Sequence, residues 1–131
     1  MQHCLLKFGL ILGSLMWGAL ASAHHSFAAE FDVERPIQLR GTITKDEFMN
    51  PHSWIHIDVQ KEDGVVESWA IEGGTPNTLF RHGIDRNSLP TGTEIIVDGY
   101  QSRDGSNQAS GRDITLTDGR KLFLLGSAPS E

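Results

Sequence analysis

Alternation of apolar and polar residues with a period of two is the feature that most constrains this chain. In "PIQLRGTITKDEF", Ile37, Leu39, Gly41 and Ile43 fall on one side, and Gln38, Arg40, Thr42 and Thr44 on the other. In "SWIHIDVQ", Ile55, Ile57 and Val59 oppose Trp54, His56 and Asp58. Successive side chains of a strand point to opposite faces, so this pattern buries one face and wets the other; a helix would scatter it. Glu62, Asp63 and Gly64 then make a turn signal, and "VVESWAIE" reads as a third strand. The spacing changes in "TPNTLFRHGI", where Leu79, Phe80 and Ile84 recur at near-helical intervals between Pro76 and Gly83. Proline in a first turn and glycine after a last one bracket a short helix. "TEIIVDGYQS" predicts a fourth strand, "RDGSNQASG" a long polar turn, and "RDITLTDGRKLFLL" a hairpin turning at Asp118 and Gly119.

The predicted order is three strands, a short helix, then two strands and a short last one. That order predicts an all-β chain: a small antiparallel barrel, OB-like, with one short helix between strands 3 and 4. The alternative is a small antiparallel sandwich without closure. A chain of 131 residues has room for one domain. Its 38% hydrophobic and 21% charged residues suit a soluble domain with a modest core. The closing "GSAPSE" reads as a frayed tail.

The N-terminus has the parts of a secretory leader. Lys7 supplies positive charge, "FGLILGSLMWGAL" the apolar run, and Ala21, Ser22 and Ala23 a small-residue cleavage site. The expected organisation is a signal peptide over 1–23 and one barrel domain over 24–131, exported to a periplasm and monomeric. The apolar run is short for a spanning helix, which needs about 20 residues, so no membrane span is expected after cleavage. The one cysteine, Cys4, lies in the leader. The processed protein would therefore have no disulfide, thiol nucleophile or thiolate ligand. A net charge of -6 disfavours nucleic acid as a partner.

With thiolates gone, imidazole is the ligand to look for. His24 and His25 stand at the expected cut. Cleavage after Ala23 would put a free amine and an imidazole on His24, a chelating pair that resembles the histidine brace of copper proteins. Cleavage after Ala21 would leave His24 third, where amine, two amides and imidazole can enclose Cu(II) in a plane, as in the amino-terminal motif of blood albumins. N-rich tetragonal sets suit Cu(II) or Ni(II), so copper is the expected metal, ahead of zinc or nickel. The further ligand is expected to be His25 or His52. Asn50 and Pro51 make a turn that can present His52 outward at the strand entrance. His56 lies four residues on. In a strand the two would be about 13 Å apart, too far to share one ion. Glu30 and Asp32 are candidate carboxylate helpers. His82 is expected to decorate the helix C-terminal end.

A ligand face is the other candidate. Trp54, Trp69 and Tyr100 are placed to line a pocket, although Trp69 reads more simply as core. Trp54, His56 and Asn50 are the candidate ligand-binding residues. If Phe27 and Phe31 packed over Trp54, the histidine start would come close to His52. The arginines of the second half, Arg81, Arg86, Arg103, Arg112 and Arg120, read as scattered surface charge. The chain has no phosphate-cradling glycine loop, nucleophile elbow or zinc-protease helix. The expected role is therefore binding and not catalysis.

"HHSFAAEFD", "NPHSW", "PNTLFRHG" and "DGRKL" together resemble a family of small exported bacterial proteins of unknown function. The likeness rests on His24, His25, Phe27, Asn50, Pro51, His52, Trp54, Pro76, Asn77, Asp118 and Arg120. It implies export and a compact β-fold and supplies no activity. Phe48 stands where Trp is expected in many members. In strand order and export alone, the chain is also similar to periplasmic OB-fold stress proteins. The combined expectation is a metal-handling protein with a metal ion, and in addition another periplasmic protein, as partners. The alternative is a periplasmic module for a small ligand or a protein, without metal.

Overall fold

The period-two segments are strands in the computed structural model, which describes residues 27–128. In chain order they are β1 (Phe31–Glu47), β2 (Trp54–Gln60), β3 (Val66–Glu72), helix α1 (Pro76–Arg81), β4 (Glu94–Ser102), β5 (Gln108–Leu116) and β6 (Lys121–Phe123). The sheet runs β3-β2-β1-β4-β5-β6, and β5 returns to pair with β3. That pairing is parallel and closes the ring; the other neighbours are antiparallel. This is the OB-like barrel that the element order predicts, with its short helix between β3 and β4.

β1 makes closure possible because it is long enough to serve two neighbours. Its first part pairs with β4 from Phe31 to Thr42, and its end pairs with β2 from Thr42 to Glu47. An irregularity between Ile43 and Lys45 bends the strand where it changes partner. At Gly41 a Cβ would lie 2.8 Å from the Asp58 carbonyl oxygen, so only glycine lets the strands approach this closely. The alternating residues then meet inside: Ile43, Ile55, Ile57, Trp69, Ile71, Ile95, Val97 and Ile114 are buried in one cluster. Leu79 of α1, with Ile84 and Leu89, joins that cluster. The α1 turn is set by Thr75, whose hydroxyl accepts from the Thr78 amide at 3.2 Å. His82 caps its C-terminal end, and Gly83 follows at φ 84°.

Two boundaries differ from the sequence reading. β1 begins at Phe31, ahead of the alternating run, and β5 begins at Gln108, inside the stretch expected to be a polar turn. Residues 32–35 are polar or exposed and lie where the register with β4 breaks, between Phe31 and Pro36, so no period marks them. Ala109, Ser110 and Gly111 are small because β5 is enclosed between β3, β4 and the returning tail. A Cβ on Gly111 would sit 2.8 Å from Ile71 Cγ2 and 3.1 Å from the Glu72 carbonyl oxygen.

Candidate metal centre

Directly paired residues share a face of the sheet, which lets one row be followed round the outside of the barrel. Tyr100 pairs with Ser110, Ser110 with Glu72, Glu72 with Trp54, and Trp54 with Glu47. Outer positions are normally wet, yet Glu72 is 2% exposed and Ser110 is fully buried. The C-terminal tail covers them. The Gly126 amide donates to the Gly111 carbonyl at 3.0 Å, and the Ser127 amide donates to Glu72 Oε1 at 3.0 Å. Gly126 fits because it lacks a side chain: a Cβ there would lie 2.6 Å from Ser110 Oγ and 2.8 Å from the Gly111 oxygen.

His52 approaches the same carboxylate. Its Nδ1 is 3.3 Å from Glu72 Oε1. The side chain as a whole is 37% exposed, but Nδ1 is buried and not aligned into a hydrogen bond with any described group. The approach is fixed by backbone: the Ser53 amide donates to Gly74 and the Gly73 amide to Ser53, continuing the β2–β3 ladder past its end. Asn50 and Pro51 form the bend that leads into this segment. The turn thus does not simply hold His52 outward. It presses one ring nitrogen against a buried carboxylate, and Nε2 has no bond among the described residues.

His56 has a different setting. Its Nε2 lies 2.7 Å from Glu47 Oε2. Lys45 donates to Glu47 Oε1 at 2.6 Å, and this bond, with that of His56, holds the Glu47 carboxyl below the usual carboxylate range. His52 and His56 therefore engage separate carboxylates and are not brought together. Among the described residues, no three His, Cys, Asp or Glu side chains form a group able to hold a metal ion. His24 and His25, the expected primary ligands, lie outside the described residues.

The segment after them is firmly seated. Phe27 and Phe31 are 3% and 1% exposed, stack with ring centres 5.7 Å apart, and stand outside the barrel's core cluster. Phe27 meets Tyr100 edge-on at 6.0 Å. Arg103 Nε donates to the Ala28 carbonyl at 2.6 Å, and the Arg103 amide to Glu30 at 2.9 Å. The expectation that Phe27 and Phe31 pack over Trp54 is corrected: Phe27 packs on Tyr100, at the other end of the outer row, and Phe31 stacks on Phe27. Arg103 also lies 3.8 Å from Asp32, which makes Asp32 part of this clasp.

Of the proposed ligand face, Trp69 is core at 7% exposure, and Trp54 is half-buried at the head of β2. Asn50 is exposed. Arg103, Arg112 and Arg120 each turn to a separate carboxylate, as scattered charge would. The sequence reading missed Glu72. In "AIEGG" it is simply the next outward residue after Ser68 and Ala70, and its burial depends on a tail that returns from more than fifty positions later.

Residues 14–111 match the model of DUF6152, described as a family of unknown function. The match takes in His24, His25 and the Asn50–Pro51–His52 segment and ends inside β5, so Asp118 and Arg120 lie beyond it. No curated protein matches the sequence.

Proposed function

The chain belongs to the DUF6152 family, whose function is unknown, and from its own residues we propose that it is an exported periplasmic protein that binds a transition metal, copper above all, through its processed N-terminus. His24 gives amine and imidazole after cleavage at Ala23, and His52 or His25 gives a further imidazole. With cleavage at Ala21, His24 acts in third position. The role is metal handling or delivery to a periplasmic partner, not turnover.

The observation that carries this reading is the pairing of a seated N-terminal segment with a prepared imidazole on the same outer row. Phe27 is held against Tyr100, and Glu72 is two strands away along that row. Two strand spacings are about 10 Å. Three residues of extended chain, the separation of His24 from Phe27, also reach about 10 Å. The chemistry of the described residues fits such a metal. His52 has a buried Nδ1 3.3 Å from the buried Glu72 carboxylate, though not aligned into a bond with it; a carboxylate that accepts from that nitrogen is what orients a metal-binding imidazole and raises its basicity. Nitrogen donors favour Cu(II) over the other divalent first-row ions.

A non-metal binding module built on Trp54, His56 and Asn50 has less support. His56 spends Nε2 on Glu47, and Trp54 is half-covered in the same outer row.

Copper competition with a chelator of known affinity tests the proposal on the processed protein. Replacing His24 and His25 together by Ala is expected to abolish tight Cu(II) binding. Unchanged affinity in that variant would refute the proposal.

A further inference from the structure

A second site lies away from the histidines, where the loop between β1 and β2 meets α1 and the loop after it. It is an open groove of about 390 Å³ with Phe48 and Phe80 among its walls. Phe80 is 70% exposed, although its neighbour Leu79 is fully buried. A short helix that turns one large side chain into the core and the next into a groove leaves an aromatic surface that the described residues do not cover.

Part of the groove's polar capacity is unspent among the described residues. The Arg86 guanidinium sits 5.7 Å from the centre of the Phe48 ring. No carboxylate among the described residues pairs with it, whereas Arg40, Arg103, Arg112 and Arg120 each have one. Asp85 accepts from the Asn87 amide and the Ser88 hydroxyl, and these bonds hold its carboxyl below the usual range. Both fall on Oδ1, so Oδ2 has no bond among the described residues. Asn77 and Asn87 also line the groove. One available cation, one available carboxylate oxygen and two asparagines around an aromatic floor are the complement of a small zwitterion with an apolar side chain.

We propose that this groove binds a free amino acid with an aromatic or large apolar side chain. Arg86 receives the ligand's carboxylate, as its planar fork suits. Asp85 Oδ2 faces the ammonium, and the side chain lies between Phe48 and Phe80. The volume is in the range of small-ligand sites, and a few polar groups on an apolar floor are their usual composition. The site uses none of the histidines and does not depend on metal binding.

The test uses the full processed protein with metal removed, followed by backbone amide chemical shifts. Three probes are titrated: L-phenylalanine, phenylacetate without the amine, and phenylalaninamide without the carboxylate. Saturable shifts at Phe48, Phe80, Arg86 and Asn87 are expected, with L-phenylalanine at least tenfold tighter than either partial probe. Arg86→Gln should bring L-phenylalanine down to the affinity of phenylalaninamide. Phe80→Ala, at an exposed position where the fold is not at stake, should weaken all three. No saturable shift, shifts centred elsewhere, equal binding of the three probes, or an Arg86→Gln protein that still prefers L-phenylalanine would each overturn the proposal.

Discussion

His52 and His56 lie four residues apart with the same side chain, and they stand in different surroundings. His56, half-buried, faces Glu47 through Nε2 at 2.7 Å, beside Lys45. His52 turns Nδ1 to Glu72, and its Nε2 has no bond among the described residues. Replacing His52 by Ala should therefore weaken Cu(II) binding when His52 completes the site, while His56→Ala should leave it unchanged. Glu72→Gln should lower copper affinity by roughly 10- to 100-fold, the usual cost of losing a carboxylate behind a metal-binding imidazole. Chelator competition on the three variants reads both expectations. The Asn-Pro-His motif made His52 legible as a candidate, because a turn before a strand presents the next side chain at the strand's mouth. Glu72 was not legible. No local pattern distinguishes an outward glutamate left in water from one that a distant tail will cover.

At the scale of elements, the barrel's outer face is organised by two segments that pack against it, one leading into β1 and one following β6. The N-terminal segment is tied down by Phe27, Phe31 and the Arg103 clasp, and the C-terminal tail by Gly126 and Ser127. Phe27→Ala removes a buried ring from a small cluster and should cost about 2–3 kcal/mol of stability. It should also weaken copper binding, since it frees the segment that carries His24. Gly126→Ala forces a methyl against the Ser110 hydroxyl and the Gly111 and Glu72 carbonyls. It should destabilise the fold by roughly 1–3 kcal/mol in urea unfolding, as overpacking at a tight contact does. The strands that alternate, β2 and β3 and the body of β1 and β4, were readable from the sequence, as was α1 from Pro76 and Gly83. The first residues of β1 and β5 were not, because their pairing arises from barrel closure and not from an apolar period.

For the whole molecule, the acidic surface predicts how stability responds to pH. Hydrogen bonds from Ser106 and the Ser102 hydroxyl hold Asp104 at about 2, well below its ordinary 3.8. Glu47, Glu67, Asp85 and Asp118 are also held low, chiefly by Lys45, Lys61, the Asn87 amide and the Arg120 amide respectively. A carboxyl whose folded pKa is depressed stabilises the native state above its unfolded pKa and loses that contribution as pH falls through the folded value. Urea midpoints should accordingly fall as pH drops below 4.5, the ordinary glutamate value, with Asp104 titrating last, near 2. Asp104→Asn should flatten the part of the profile between 3.8 and about 2. These groups are exposed, so each effect is small and shrinks with added salt.

The most direct test of the central claim is the native intact mass of the protein purified from a periplasm, before and after one equivalent of Cu(II). The account predicts a chain that starts at His24 and retains one copper ion. A start at Ser22 with one copper retained would keep the metal and move its site to the amino-terminal square plane. A correctly processed chain that retains no copper from either start would contradict the account.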